Sequence, residues 1–166
     1  MTDQRLIGEL REEGGLGVVH VEDVYATGID DLWSAITDPE RLARWVVRIE
    51  GELRVGGEFT AAFTSGWRGM GVVEVCEAPH RLQVRTWEPG GVTTTIEALL
   101  TPEGAGTRLV IEDRGLPLEE YAAHGAGWQA HVEDLAAYLA GRVPRSWEER
   151  WHELSADYLE LARAAR

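Results

Sequence analysis

Between Gly51 and about Asp113 the chain alternates apolar and polar residues with a period of two. Glycine or proline interrupts that alternation about every ten residues, at Gly56-Gly57, Gly66, Gly69, Pro79, Gly90-Gly91 and again from Gly104 to Gly106. A period of two with turn residues at this spacing predicts an antiparallel meander, one face buried and the other wet. Its strands are expected near Gly57 to Thr64, Met70 to Glu77, Arg81 to Trp87, Val92 to Leu100 and Thr107 to Asp113. Such a sheet needs something to bury its apolar face, and the flanking sequence supplies helices.

Ahead of the meander, Gly14-Gly15 turns a short mixed segment into the β-branched run Val18 to Tyr25, which reads as an opening hairpin. Ile29 to Ile36 carries Asp30 and Asp31 where a helix start favours acids, and Thr37-Asp38-Pro39-Glu40 breaks and restarts it. Asp38 suits the cap, and Pro39 the first position, of a second short helix running through Leu42 and Trp45. After Pro117, the residues Tyr121, Gly125, Trp128, Val132, Leu135 and Leu139 form one stripe of a long helix that Gly141 stops. A last amphipathic helix opens at Ser146 with Glu149 three residues on, and carries Trp147, Trp151, Leu154, Tyr158 and Leu161 on one face. The expected organisation is one α+β domain over residues 1–141 and a helical extension over 142–166, packed on the domain or serving as a homodimer interface.

Composition narrows the function. A formal charge of −13 repels phosphate backbones and anionic membranes, so neither nucleic acid nor membrane is an expected partner. All 16 basic residues are arginine and there is no lysine, which removes Schiff-base and phosphate-loop chemistry. No run approaches the roughly 18 apolar residues of a spanning helix, and Met1 to Arg5 lacks the apolar core of a signal peptide. A cytoplasmic location is the expectation. The single cysteine, Cys76, sits in a strand-like run without a basic neighbour and is expected to be inert packing.

Several stretches together resemble a known family. Leu32-Trp33, Thr37-Asp38-Pro39-Glu40 and Arg44-Trp45 come first, then Gly56-Gly57-Glu58-Phe59, Gly71 to Val75 before Pro79-His80-Arg81-Leu82, and the strand-closing Trp87. Gly106-Thr107-Arg108-Leu109 and Gly127-Trp128 complete the series. From Val18 to Leu139 the chain resembles the heat-shock-protein-90 ATPase activator homologues of the START-like (SRPBCC) superfamily, which also holds polyketide cyclase/dehydratase and lipid-transport-like proteins. That resemblance implies a helix-grip fold: a curved antiparallel sheet around a long C-terminal helix, with a cavity between them. It implies no particular activity. The co-chaperones behind the family name carry a further chaperone-binding domain for which 166 residues leave no room, so chaperone activation is not expected.

Within such a grip, Trp45, Phe63, Trp67, Trp87, Tyr121 and Trp128 come from separate elements that surround one volume, and they are the expected ligand-binding set together with His124. Trp33 and Phe59 are assigned to the core. His124, Trp128, His131, Leu135 and Tyr138 form a second stripe of the long helix. The two histidines are two turns, about 10.5 Å, apart along it, too far to share a metal ion. No metal site and no cofactor are expected. His124 is the weak candidate for a general acid or base, because Gly125 and Gly127 would let a ligand approach there and because Glu112 or Asp113, whichever faces inwards, could partner it. Arg41, Arg44 and Arg48 form the one basic cluster, placed on one face of the second short helix, either solvated or at a pocket mouth.

The leading expectation is binding of a small apolar or amphipathic molecule without turnover. The alternatives are a cyclase/dehydratase-type enzyme using His124, and a protein-interaction or co-chaperone-like regulatory module.

Overall fold

The computed structural model describes residues 5–165, so the segment read above for a leader lies, save Arg5, outside the described residues. Eight strands form one antiparallel sheet: β1 (Gly8–Glu13), β2 (Leu16–Tyr25), β3 (Val47–Gly51), β4 (Glu58–Phe63), β5 (Arg68–Glu77), β6 (Arg81–Trp87), β7 (Thr93–Glu103) and β8 (Gly106–Leu116). Their order across the sheet is β1-β2-β8-β7-β6-β5-β4-β3. After the opening hairpin the chain therefore crosses to the far edge and returns strand by strand. Helices α1 (Ile29–Thr37) and α2 (Pro39–Leu42) make the crossing. The long helix α3 (Tyr121–Leu139) lies against the concave side, and α4 (Trp147–Ala164) lies on α3. This is the helix-grip architecture, and none of the described helices is long and apolar enough to cross a membrane.

Cross-strand register sets the inner face. Ile96 pairs with Asp113, Ala98 with Ile111 and Leu100 with Leu109, so these side chains turn together towards α3. The core continues through Leu32, Phe59, Val73, Val132 and Leu135. Trp33, expected in that core, is only half-buried; Leu32 and Ala35 take the helix face turned fully inwards.

Asp38 caps α2 as expected, accepting from the Glu40 N–H at 3.0 Å. The helix stops earlier than its apolar spacing suggests, because Val46, Val47 and Ile49 are β-branched and find a partner strand: Val47 pairs with Phe63 and Ile49 with Ala61. Arg48 thus sits on β3, and the three arginines do not share a helix face. Arg41 instead donates to the Tyr138 hydroxyl at 2.8 Å and pairs with Asp31 at 3.0 Å.

The Ser146 hydroxyl accepts from Glu149 N–H, and the apolar stripe of α4 is used within the chain: Leu154 and Tyr158 are fully buried. Tyr158 donates to Gln129 Oε1 at 2.6 Å, and the same oxygen accepts from Ile7 N–H. Gln129 Nε2 in turn donates to Glu133, which Arg150 of α4 holds at 2.6 Å. One buried amide on α3 therefore ties the N-terminal segment to α4. Gly125 and Gly127 serve the same junction. A Cβ on Gly125 would come within 2.7 Å of the Tyr158 ring, and one on Gly127 within 3.2 Å of Trp147. Gly125 thus admits the Tyr158 ring and clears no path for ligand, which corrects that expectation, whereas Gly127 admits Trp147 and also borders open space.

Cys76 is exposed, not packed. A register shift between Val73 and Val75 places it opposite Leu82.

Candidate functional site

The inner face of the sheet is not filled along its whole length. Towards the N-terminal half of α3 the inward side chains of β6, β7 and β8 shorten to Thr86, Thr94 and Asp113, while α3 presents Ala123, His124 and Gly127. Small and polar residues on both sides leave a cavity of about 500 Å³. Its roof is the start of α4. Trp147 donates its indole N–H to the Gly127 carbonyl at 3.2 Å and Trp151 donates to the Ala123 carbonyl at 3.0 Å, which fixes both rings over the gap.

The cavity wall is a continuous aromatic run. Phe63 meets Trp67 edge-on with centroids 5.4 Å apart, and His131 lies 5.9 Å from Phe63, 5.6 Å from Trp128 and 5.4 Å from Trp147. Trp147 stacks on Trp151 at 6.1 Å. His131 at the centre of this run is buried, and burial holds its pKa down at about 3. It is a neutral ring at any ordinary pH.

One acid stands inside. Asp113 is 4% exposed; its Oδ2 accepts the Trp128 indole N–H at 2.9 Å and lies 3.9 Å from His124 Nδ1. Its Oδ1 is buried and has no hydrogen-bond partner among the described residues. Burial pushes the carboxyl above its usual range, against the opposing pull of His124, the Trp128 N–H, the Thr94 hydroxyl and Arg114. Of the acid pair considered for His124, alternation thus turns Asp113 inwards and Glu112 outwards.

The structure places Phe63, Trp67, His124 and Trp128 on this wall. The other three expected residues lie elsewhere. Trp45 is 4% exposed, gives its indole N–H to the Ala35 carbonyl, and lines a second, smaller apolar cavity of about 130 Å³. Phe63, Thr86, Ile96 and Trp128 border both cavities. Trp87 follows the inward Thr86 in β6 and so turns to the opposite face, outside either cavity. Tyr121 is fully buried beside Gly17 of β2, its hydroxyl donating to the Ala162 carbonyl of α4. It belongs to the helix junction and not to the cavity.

Sequence reasoning assigned Trp147 and Trp151 to a packing or dimer stripe and so missed them as cavity residues. The available signal was the small residue facing them, Gly127, next to Trp128 but on neither predicted stripe of α3. None of Arg41, Arg44 and Arg48 reaches the cavity. Among the described residues no three His, Cys, Asp or Glu side chains gather as metal ligands.

A curved antiparallel sheet closed on a long helix, with an aromatic cavity between them, defines a START-like (SRPBCC) helix-grip protein. The chain belongs to the Activator of Hsp90 ATPase homolog 1-like protein family, whose pattern matches residues 26–140. Among solved structures it is similar to CalU16 from Micromonospora echinospora. The crystal structure of that protein is 25% identical with a TM-score of 0.76 over 94% of this chain and 96% of that one. The solution structure of CalU16 gives a TM-score of 0.80 over 99% of each chain, at 24% identity. DynU16, a protein of the dynemicin biosynthetic locus, is 30% identical with a TM-score of 0.71; the match covers 77% of this chain and 49% of DynU16. No curated protein matches the chain.

Proposed function

We propose that the protein binds a small apolar or amphipathic molecule in the cavity between the sheet and α3. The observation that carries this reading is the 500 Å³ space itself, open and walled by Phe63, Trp67, Trp128, Trp147 and Trp151. Its volume falls within the range of about 300–1,000 Å³ for small-molecule sites. Aromatic walls contribute large apolar area with little side-chain entropy to lose on binding. The place of DynU16 in a biosynthetic locus accords with a small-molecule occupant.

Native mass spectrometry of freshly purified protein, with organic extraction of whatever accompanies it, tests the reading. The expected result is a bound molecule that is lost when Trp67 and Trp128 are both replaced by alanine in a variant that still shows a cooperative unfolding transition. Retention of the molecule by that variant overturns the assignment to this cavity.

A second reading has its own observation, the approach of His124 to Asp113 at 3.9 Å within the same cavity. There the imidazole acts as general base or acid on the bound molecule, held by the carboxylate, in cyclase- or dehydratase-type chemistry. Turnover abolished in His124→Ala while ligand affinity is kept identifies it. Full turnover in that variant removes it.

A further inference from the structure

Among the described residues, the carboxylates around the cavity have no guanidinium facing them, and His124 is the one basic group of the wall near Asp113, at 3.9 Å. Glu88 and Glu120 line it near the surface and Asp113 lines it within, whereas among the described residues no arginine does so, in a chain whose basic residues are all arginine. The nearest guanidinium in sequence, that of Arg114, turns to the opposite face of the sheet and is held by Glu97 and Glu112 at 3.3 and 3.2 Å. The basic groups of the wall are the two imidazoles of His124 and His131. His131 is neutral, and His124 stands at the mouth with its side chain 34% exposed. An anionic head group would find acids and no fixed cation. An entirely apolar ligand would leave the buried Asp113 Oδ1 unpaired, which is costly for a buried oxygen.

We propose that the occupant is an amphipathic amine, its protonated nitrogen paired with the Asp113 carboxylate and its apolar body lying along Trp67, Trp128 and Trp147. This rests on the cavity reading above and adds the chemical class of the ligand. Each part of the site then has a use. The carboxylate gains a charge-assisted hydrogen bond, stronger than a neutral one. The indoles present faces that attract a cation as well as apolar surface to cover the body of the ligand. Glu88 and Glu120, with the net charge of −13, draw a cation towards the opening. Burial disfavours the charged form of Asp113, and an arriving ammonium restores it.

The test is a matched series that shares one apolar body and differs in head group: naphthylethylamine, naphthylethanol and naphthylacetate, titrated calorimetrically into the intact protein at neutral pH. The amine is expected to bind roughly 10- to 100-fold more tightly than the alcohol, the range of a charge-assisted hydrogen bond, and naphthylacetate most weakly. Asp113→Asn keeps the shape of the side chain and should remove that preference, bringing the amine down to the alcohol while leaving the alcohol within about twofold. A thermal transition of Asp113→Asn no lower than wild type shows that the fold is intact. Glu88→Gln with Glu120→Gln, both on exposed positions, gives an independent variant in which amine binding should become less sensitive to salt.

Equal or tighter binding of the alcohol or the acid overturns the amine assignment while leaving the cavity reading in place. An amine preference that survives in Asp113→Asn overturns it as well. If none of the three compounds binds, and the protein also purifies without a companion molecule, the cavity reading falls and the inference with it.

Discussion

Glu112 and Asp113 are adjacent in β8 and carry the same chemical group, yet the sheet gives them opposite lives. Glu112 turns outwards and accepts from Arg11 at 2.8 Å, from His20 at 2.8 Å and from Arg114 at 3.2 Å. The Arg11 guanidinium, helped by His20 and Arg114 against a burial cost, holds its pKa down at about 2. Asp113 turns inwards, receives one indole N–H, and keeps an oxygen without a partner. One carboxylate is built into a network of ion pairs on the outer face; the other lines the cavity. The side of the strand decides which, since a period of two sends neighbouring residues into different solvents.

The linked pH dependences have opposite sign. Glu112 has a lowered pKa when folded, so its contribution is present above the ordinary carboxylate range and is lost as pH falls through about 2. Asp113 has a raised pKa when folded, so the protonated protein is favoured and stability declines as pH climbs through that raised value.

The largest way to break the contrast is Trp128→Ala, which opens the cavity wall and removes the N–H that Asp113 accepts. Loss of a buried indole is expected to cost about 3–5 kcal/mol by chemical denaturation; a cost under about 1 kcal/mol would show that Trp128 is not packed as described. Next comes Glu112→Gln, which leaves Arg11, His20 and Arg114 without their shared anion. A loss of about 1–2 kcal/mol at neutral pH is expected, fading in strong acid as the wild-type carboxylate itself protonates.

Asp113→Asn should act in the other direction, raising stability by roughly 1 kcal/mol at alkaline pH with the gain shrinking below the ordinary aspartate range. Destabilisation at pH 8 would mean that Asp113 is paired after all. The smallest effect is on His20. Burial opposes its protonation, but hydrogen bonds to Glu112 and Glu22 outweigh this and raise its pKa. In Glu112→Gln the His20 titration followed by NMR should move to lower pH; an unmoved curve would assign the raised value to Glu22 instead.

Much of the fold was legible before any coordinates. Alternation with glycine punctuation located β4 to β8 to within a few residues, and helical spacing located α3 and α4, because both patterns record which side of an element must leave water. The short strand β3 was not legible: five residues beside a helix carry too little periodicity, and only pairing with β4 makes Val47 to Gly51 a strand. The site was half legible. Phe63, Trp67, His124 and Trp128 follow from aromatics and a histidine on elements that a grip brings together. Tyr121 and Trp87 carry the same signal and go elsewhere, since residue type does not say which neighbour a buried ring will meet.

The sequence by itself determined the alternation, the helices, the acidic charge, the absence of lysine and the family pattern, all of which are local or compositional. Only the tertiary structure decided that the stripe of α4 lies on α3 with Trp147 and Trp151 above the cavity, and that β8 turns Asp113 and not Glu112 inwards. Those outcomes depend on register and on contacts between residues far apart in the chain, where a shift of one residue exchanges the two faces of a strand.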